Sequence, residues 1–167
     1  NTLGTRIDGY GLINANAQLT NRGTIDGVVS NTNSVVNSGY IGAVENNGSL
    51  TNAAGANIGY LTHNSPTSFN NGGTVGHLVN QGVVVNNGTV SGLDNGGTFT
   101  NNGTLILDGA RLGGTVVNRA TAILNSGSDG GSTWYSVGEY KQTAGTTTIN
   151  GDLFSNVQLE GGILKGS

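Results

Sequence analysis

Few side chains in this chain are able to do chemistry. Nine acids, six bases, two histidines and five tyrosines are spread over 167 residues, and cysteine is absent. Without cysteine there is no disulfide, no thiolate metal site and no cysteine nucleophile. His63 and His77 have no Cys, Asp or Glu partner at a metal-ligand spacing, so both are read as outward surface residues and no metal is expected. The segment SGSDGGS (126–132) lacks the nonapeptide repeat that binds calcium in RTX solenoids. No motif supports a Ser-His-Asp site, and no cofactor is expected. Asp94 and Asp108 come nearest to a carboxylate pair, while Glu45 shares an outer column with Asp94 about three repeats away, roughly 15 Å at the strand spacing. Glycosidases need their two carboxyls within about 10 Å, so the acids read as solvated and the chain as non-enzymatic.

The aromatic residues are better candidates. Trp134, Tyr135 and Tyr140 cluster near Asp129 and Glu139, and Tyr40 and Tyr60 fall at outward repeat positions. Exposed aromatic faces stack on sugar rings or anchor protein partners, so these five are the candidate ligand-binding residues. The competing reading has Trp134 covering the core where the repeat changes register.

What must position them is a short repeat. Asn71, Asn86 and Asn101 each open a nine-residue unit of the form Asn-x-Gly-x-apolar, and Asn80 and Asn95 each open a six-residue unit, for a period of about fifteen residues. Such a period marks a solenoid. The long unit's fifth position holds Ile25, Ile41, Ile58, Val75, Val90 and Leu105, and its eighth holds Val28, Val44, Leu61, Leu78 and Leu93. The short unit adds Val35, Leu50, Phe69, Val84 and Phe99. Two apolar positions three apart cannot share one face of a straight strand, so the chain must bend between them, at Gly42, Gly59, Gly76 and Gly92. A helix is excluded because Gly costs up to about 1 kcal/mol in its interior and a six-residue spacing does not fit a 3.6 period. Stacked parallel strands remain, giving an all-β, single-stranded parallel β-helix. Its Asn columns are Asn21, Asn37, Asn52, Asn71, Asn86 and Asn101 on one corner, and Asn31, Asn46, Asn64, Asn80 and Asn95 on another. Stacked amides of this kind hydrogen-bond as ladders, with Asn and the following Gly supplying permissive backbone at the corners.

The chain reads as one β-helix domain over 1–167, with an irregular start at 1–20, regular rungs at 21–109, a register change and aromatic insertion at 110–140, and further rungs at 141–167. Pro66 marks an outer loop in the rung from Asn52 to Asn70. Leu105 and Leu107 alternate as in a flat strand, with Asp108 where the second apolar column should continue. Only 9 % of residues are charged and the net charge is −3, so neither nucleic acid nor an anionic membrane surface is a natural partner. No apolar run is long enough to span a bilayer. Asn47, Asn87 and Asn102 fit the N-glycosylation sequon, as an Asn-Gly repeat does by chance. Thr24, Thr74, Thr89 and Thr104 form an outward column, interrupted by Tyr40 and Asn57, of the type that suits ice binding.

The units NRGTI, NSGYI, NNGSL, NNGTV and NNGTL, with the tail EYKQTAGTTTINGDLFSNVQLEGGILKGS, resemble the repeats of large secreted bacterial exoproteins of the filamentous-haemagglutinin and autotransporter-adhesin type. The resemblance covers most of the chain from about Asn21. It implies a right-handed β-helix, export through the outer membrane to the cell surface, and adhesion, aggregation or biofilm work on glycans, proteins or other copies. The Asn-Pro motif of the secretion domain is missing, since Pro66 follows Ser65, so the chain would be a piece of the shaft or its functional region. A β-helix that binds or degrades polysaccharide and an ice-binding solenoid are the alternatives.

Overall fold

The computed structural model describes residues 2–3, 6–8, 11–108, 111–125, 134–151 and 153–166. Among them every strand pairing is parallel, and the strands form two stacks, one of ten strands and one of thirteen. The chain is a β-solenoid. The ten-stranded stack is built from the short units, such as Ser34–Asn37, Ser49–Asn52, Val83–Asn86 and Thr98–Asn101. The other is built from the long units, such as Tyr40–Asn46, Asn57–His63 and Thr74–Asn80. Thr74–Asn80 pairs upward with two separate strands, Thr89–Val90 and Leu93–Asn95, which shows that the long unit bends into two sides. A coil with such a bend therefore has three sides, and one apolar column comes from each.

Those columns are the core. Ile41, Ile58, Val75, Val90 and Leu105 fill the first, Val44, Leu61, Leu78 and Leu93 the second, and Val35, Leu50, Phe69, Val84 and Phe99 the third, all buried. One member of the expected columns is displaced: Val29, not Val28, is in the core. A bulge between Ile25 and Val28 adds a residue to that strand, so Val29 pairs with Val44. Further along, Leu107 is buried two places after Leu105 and Asp108 is exposed, and the strands Thr104–Asp108, Thr121–Asn125 and Thr146–Asn150 pair without a break.

At the first corner the ladder is continuous. Each Asn side chain donates Nδ2 to Oδ1 of the next, from Asn21 through Asn37, Asn52, Asn71, Asn86 and Asn101 to Asn118, at 2.7–2.9 Å. Asn118 then donates to Gln142 at 2.9 Å and to Thr147 at 3.0 Å. Most of these amides also donate to a backbone carbonyl of their own corner and of the coil above, for example Asn86 to Gly88 and Thr104. A buried polar group must be paired in this way or it costs about 1–3 kcal/mol.

The second corner departs from the expected column. It runs from Asn14 to Asn31 (2.8 Å) and Asn46 (2.6 Å), but the next position is His63, with Asn64 exposed outside it. Asn46 Nδ2 lies 2.9 Å from His63 Nδ1. The ladder restarts between Asn80 and Asn95 at 2.7 Å. His63 is thus fully buried rather than outward.

The glycines serve a different purpose from the one expected. Among the described residues, positive φ occurs only at Gly55, Gly145 and Gly162, and at no Asn. The bend glycines are required by close stacking instead: a Cβ on Gly59 would stand 2.6 Å from the Gly42 carbonyl oxygen, and one on Gly76 2.5 Å from that of Gly59. Real Cβ atoms do not approach backbone so closely, so any larger residue must push the coils apart.

Candidate functional site: an outer aromatic strip and its cleft

The bend column of Gly42, Gly59, Gly76 and Gly92 carries no side chains. Tyr40, Tyr60 and His77 come from three successive coils beside that column. Tyr40 and Tyr60 are 40 % and 45 % exposed, as their repeat positions require. The Tyr40 hydroxyl reaches over the next coil and would lie 3.5 Å from a Cβ on Gly59. Tyr60 and His77 stack nearly parallel, with ring centroids 5.3 Å apart and 11° between planes. That stacking fixes both rings and gives one face of each to the other, leaving edges, opposite faces and the Tyr60 hydroxyl for a ligand.

His77 also ties the strip to an acid. Its ring covers Gly92 of the next coil, where a Cβ would lie 2.6 Å from Nδ1. Its Nε2 lies 3.3 Å from Oδ2 of Asp94, both side chains being more than a third exposed. Only the ring nitrogen can donate in that contact while the carboxylate is ionised. Asp94 in turn lines an open cleft of about 310 Å³ with Gln81, Asn95, Gly96 and Gly113. The cleft exists because Gly96 and Gly113 lack side chains; a Cβ on Gly96 would meet the Gln81 side chain at 2.5 Å. A carboxylate and two amides line this space, and the Tyr60–His77 stack reaches its edge through the contact of His77 with Asp94; convergent polar groups beside ordered rings are elements from which small-ligand sites are made.

The acids on these coils have partners. Asp26 is paired with Arg6 at 2.7 Å, and Glu45 accepts a hydrogen bond from Ser30 at 3.2 Å. Glu45 and Asp94 share one outer column with Thr62 and Val79 between them, three coils apart. Asp108 is not beside Asp94 in register. Arg111 stands opposite Asp94, and Asp108 is opposite Asn125, from which it accepts a hydrogen bond at 2.6 Å. Among the described residues no group of three or more His, Asp or Glu side chains is arranged to hold a metal ion.

Of the other sequence candidates, Tyr140 is a core residue. It occupies the short-strand column opposite Val116, is fully buried, and its hydroxyl bonds Thr147 Oγ1 at 2.6 Å. Burial pushes its phenol up to about 12, against the smaller opposing effect of Thr147. Trp134 and Tyr135 lie in the strand Trp134–Gln142, but their side chains are outside the described residues, as is Asp129. The sequon residues Asn47, Asn87 and Asn102 are exposed, one place beyond the buried ladder positions. The Thr column proves longer than its sequence signal: Thr74, Thr89, Thr104, Thr121 and Thr146 are in register over five coils.

Sequence reasoning missed the His77–Asp94 contact and the Gln81 cleft. The signal was present in the column alignment, since Leu78 pairs with Leu93 and so brings residues 77 and 94 diagonally together. Pairing partners seventeen residues apart are visible only once the coil length is known locally. Compared with known proteins, the chain matches no family model, no curated protein and no solved structure.

Proposed function

We propose that this chain is a non-enzymatic segment of a secreted bacterial surface adhesin, a rod whose outer strip binds glycans on a host or bacterial surface. The observation that carries the reading is the strip of Tyr40, Tyr60 and His77 leading to Asp94 and its cleft. Ordered aromatic side chains offer apolar contact to the C–H faces of a sugar, and the carboxylate and amide accept and donate to its hydroxyls. The Asp94 carboxylate that lines the cleft favours uncharged sugars over sulfated or uronic ones, because like charges repel. Each contact is weak, and display of many rods on a surface multiplies it. A resemblance of the repeats to secreted exoproteins supports the cell-surface setting.

The test is a glycan array probed with the wild type, Tyr60→Ala and Asp94→Asn. The expected result is binding to a set of neutral glycans that either substitution weakens at least about tenfold, equivalent to about 1.4 kcal/mol. Wild-type binding to no glycan, with intact aggregation of cells that display the rod, contradicts the sugar reading and leaves a protein partner.

One observation favours a second reading, ice binding: the unbroken Thr column from Thr74 to Thr146. Thermal hysteresis of a concentrated solution separates the two, since the glycan reading predicts none.

A further inference from the structure

His63 stands where the repeat places an asparagine, and its surroundings differ from those of the ladder amides. The coil below and its own corner fix the Asn46 amide: Oδ1 accepts from Asn31 at 2.6 Å and Nδ2 donates to the Gly48 carbonyl at 2.9 Å. The other Nδ2 hydrogen is therefore directed at His63 Nδ1, 2.9 Å away, and that nitrogen must act as the acceptor. The ring proton then sits on Nε2, which is buried and has no hydrogen-bond partner among the described residues. Nε2 faces the next corner, where a Cβ on Gly82 would lie 3.0 Å from it. Asn80 Oδ1 accepts from the Gly82 N–H at 3.0 Å, and no hydrogen bond joins it to His63 Nε2.

We propose that His63 is an acid-operated break in the rod: a proton added to Nδ1 sets N–H against N–H at the Asn46 contact and opens the second corner between Asn46 and Asn80. Flipping the Asn46 amide relieves that clash only by setting N–H against N–H at Asn31 and oxygen against oxygen at Gly48, which breaks the same corner one bond lower. Among the described residues nothing charged faces the ring to stabilise an imidazolium. The groups around it are Asn46, the Phe69 ring at 5.9 Å, Gly82, and the backbone of Thr67 and Val83. The nearest acid in the sequence, Glu45, is turned outward to Ser30.

Burial lowers the His63 pKa below its ordinary value, with the backbone of Val83 and Thr67 acting the other way. The folded state thus holds the proton less well than the unfolded chain. The stability it contributes is present above the ordinary histidine pKa of about 6.5 and is lost as pH falls toward the folded value. Tyr60 lies on the same strand as His63 and His77 on the next, so opening here unstacks the aromatic strip and releases what it holds. That last link rests on the glycan reading; the opening itself does not.

Backbone bonds on either side of His63 provide the readout: the Asn64 amide donates to Asn46 and the Gln81 amide to His63, while the Asn102 amide donates to Asn86 at the unbroken corner. Hydrogen exchange, corrected for intrinsic rates, is compared at pH 7.5 and 5.5 in wild type, His63→Asn and His63→Gln. In the wild type, protection at Asn64 and Gln81 is expected to fall by up to about tenfold per pH unit below 6.5 while Asn102 is unaffected; both variants abolish the selective fall. An equal fall in a folded variant, or no selective fall in the wild type, overturns the proposal. If neither variant folds, an NMR titration of the wild-type His63 ring decides: ionisation in step with loss of protection at Asn64 and Gln81 supports the proposal, and ionisation without that loss contradicts it.

Discussion

The two Asn corners are built from the same repeat and have different fates. At the first, every amide from Asn21 to Asn118 along the ladder is joined to the next, and the run ends in a buried group of Gln142, Thr147 and Tyr140. At the second, His63 splits the ladder, and the outer strip of Tyr60, His77 and Asp94 lies on the coils around the split. An unbroken ladder leaves each residue with one task, to repeat the coil. A broken one leaves a titratable group in the core beside a chemically varied surface.

The largest expected effect breaks the first corner. Asn86→Ala removes a donor to Gly88, Asn101 and Thr104 and an acceptor from Asn71, and should cost about 3 kcal/mol in urea unfolding, since buried partners lose about 1–3 kcal/mol when orphaned. Asn80→Ala at the second corner should cost about 1 kcal/mol less, because the residue below it in the column is His63 rather than an amide that donates to it. Equal costs would show that the split is not felt.

Next comes the end of the first ladder in alkali. Tyr140 has its pKa raised to about 12, so the folded state resists ionisation more than the unfolded chain. Stability is then full below pH 10 and falls as pH rises through 10 to 12, by about 2–3 kcal/mol at most. Tyr140→Phe should remove that fall in a pH series of melting curves, at a cost near neutrality of about 1 kcal/mol for the lost Thr147 bond.

Rejoining the second corner is a smaller change. His63→Asn restores the amide type found at the matching positions of neighbouring coils and should stabilise by about 1 kcal/mol at pH 7. A melting temperature that drops instead would mean that His63 packing against Phe69 outweighs the ladder. Smallest of all is the stability effect of the strip: Tyr60→Ala should stay within about 0.5 kcal/mol of the wild type, as exposed substitutions do.

These contrasts also show what a sequence of this kind makes legible. The apolar columns, the bend and the first ladder follow from spacing alone, because each position sees only its counterpart in the coils above and below. Spacing misleads where one residue is added. Val28 gives way to Val29 at a bulge, whereas at the second corner the spacing holds: His63 follows Leu61 by two places as Asn46 follows Val44 and Asn80 follows Leu78, and residue type alone points to Asn64. An insertion shifts which of two adjacent residues turns inward, and with Val28–Val29 both choices satisfy the pattern. Tyr140 reads as a surface residue for a related reason, since an aromatic segment hides the column to which it belongs. The candidate site is half legible. Outward placement of Tyr40 and Tyr60 follows from the repeat, whereas the partnership of His77 with Asp94 depends on the local coil length between them.

A repetitive interior holds the rod, and on the proposed function an outer strip binds. The most direct test of that division is the binding isotherm of the Tyr60→Ala/His77→Ala double variant on a cell surface that the wild type recognises. The predicted result is a loss of at least about tenfold in affinity with an unchanged melting curve. Undiminished binding by the folded double variant would contradict it.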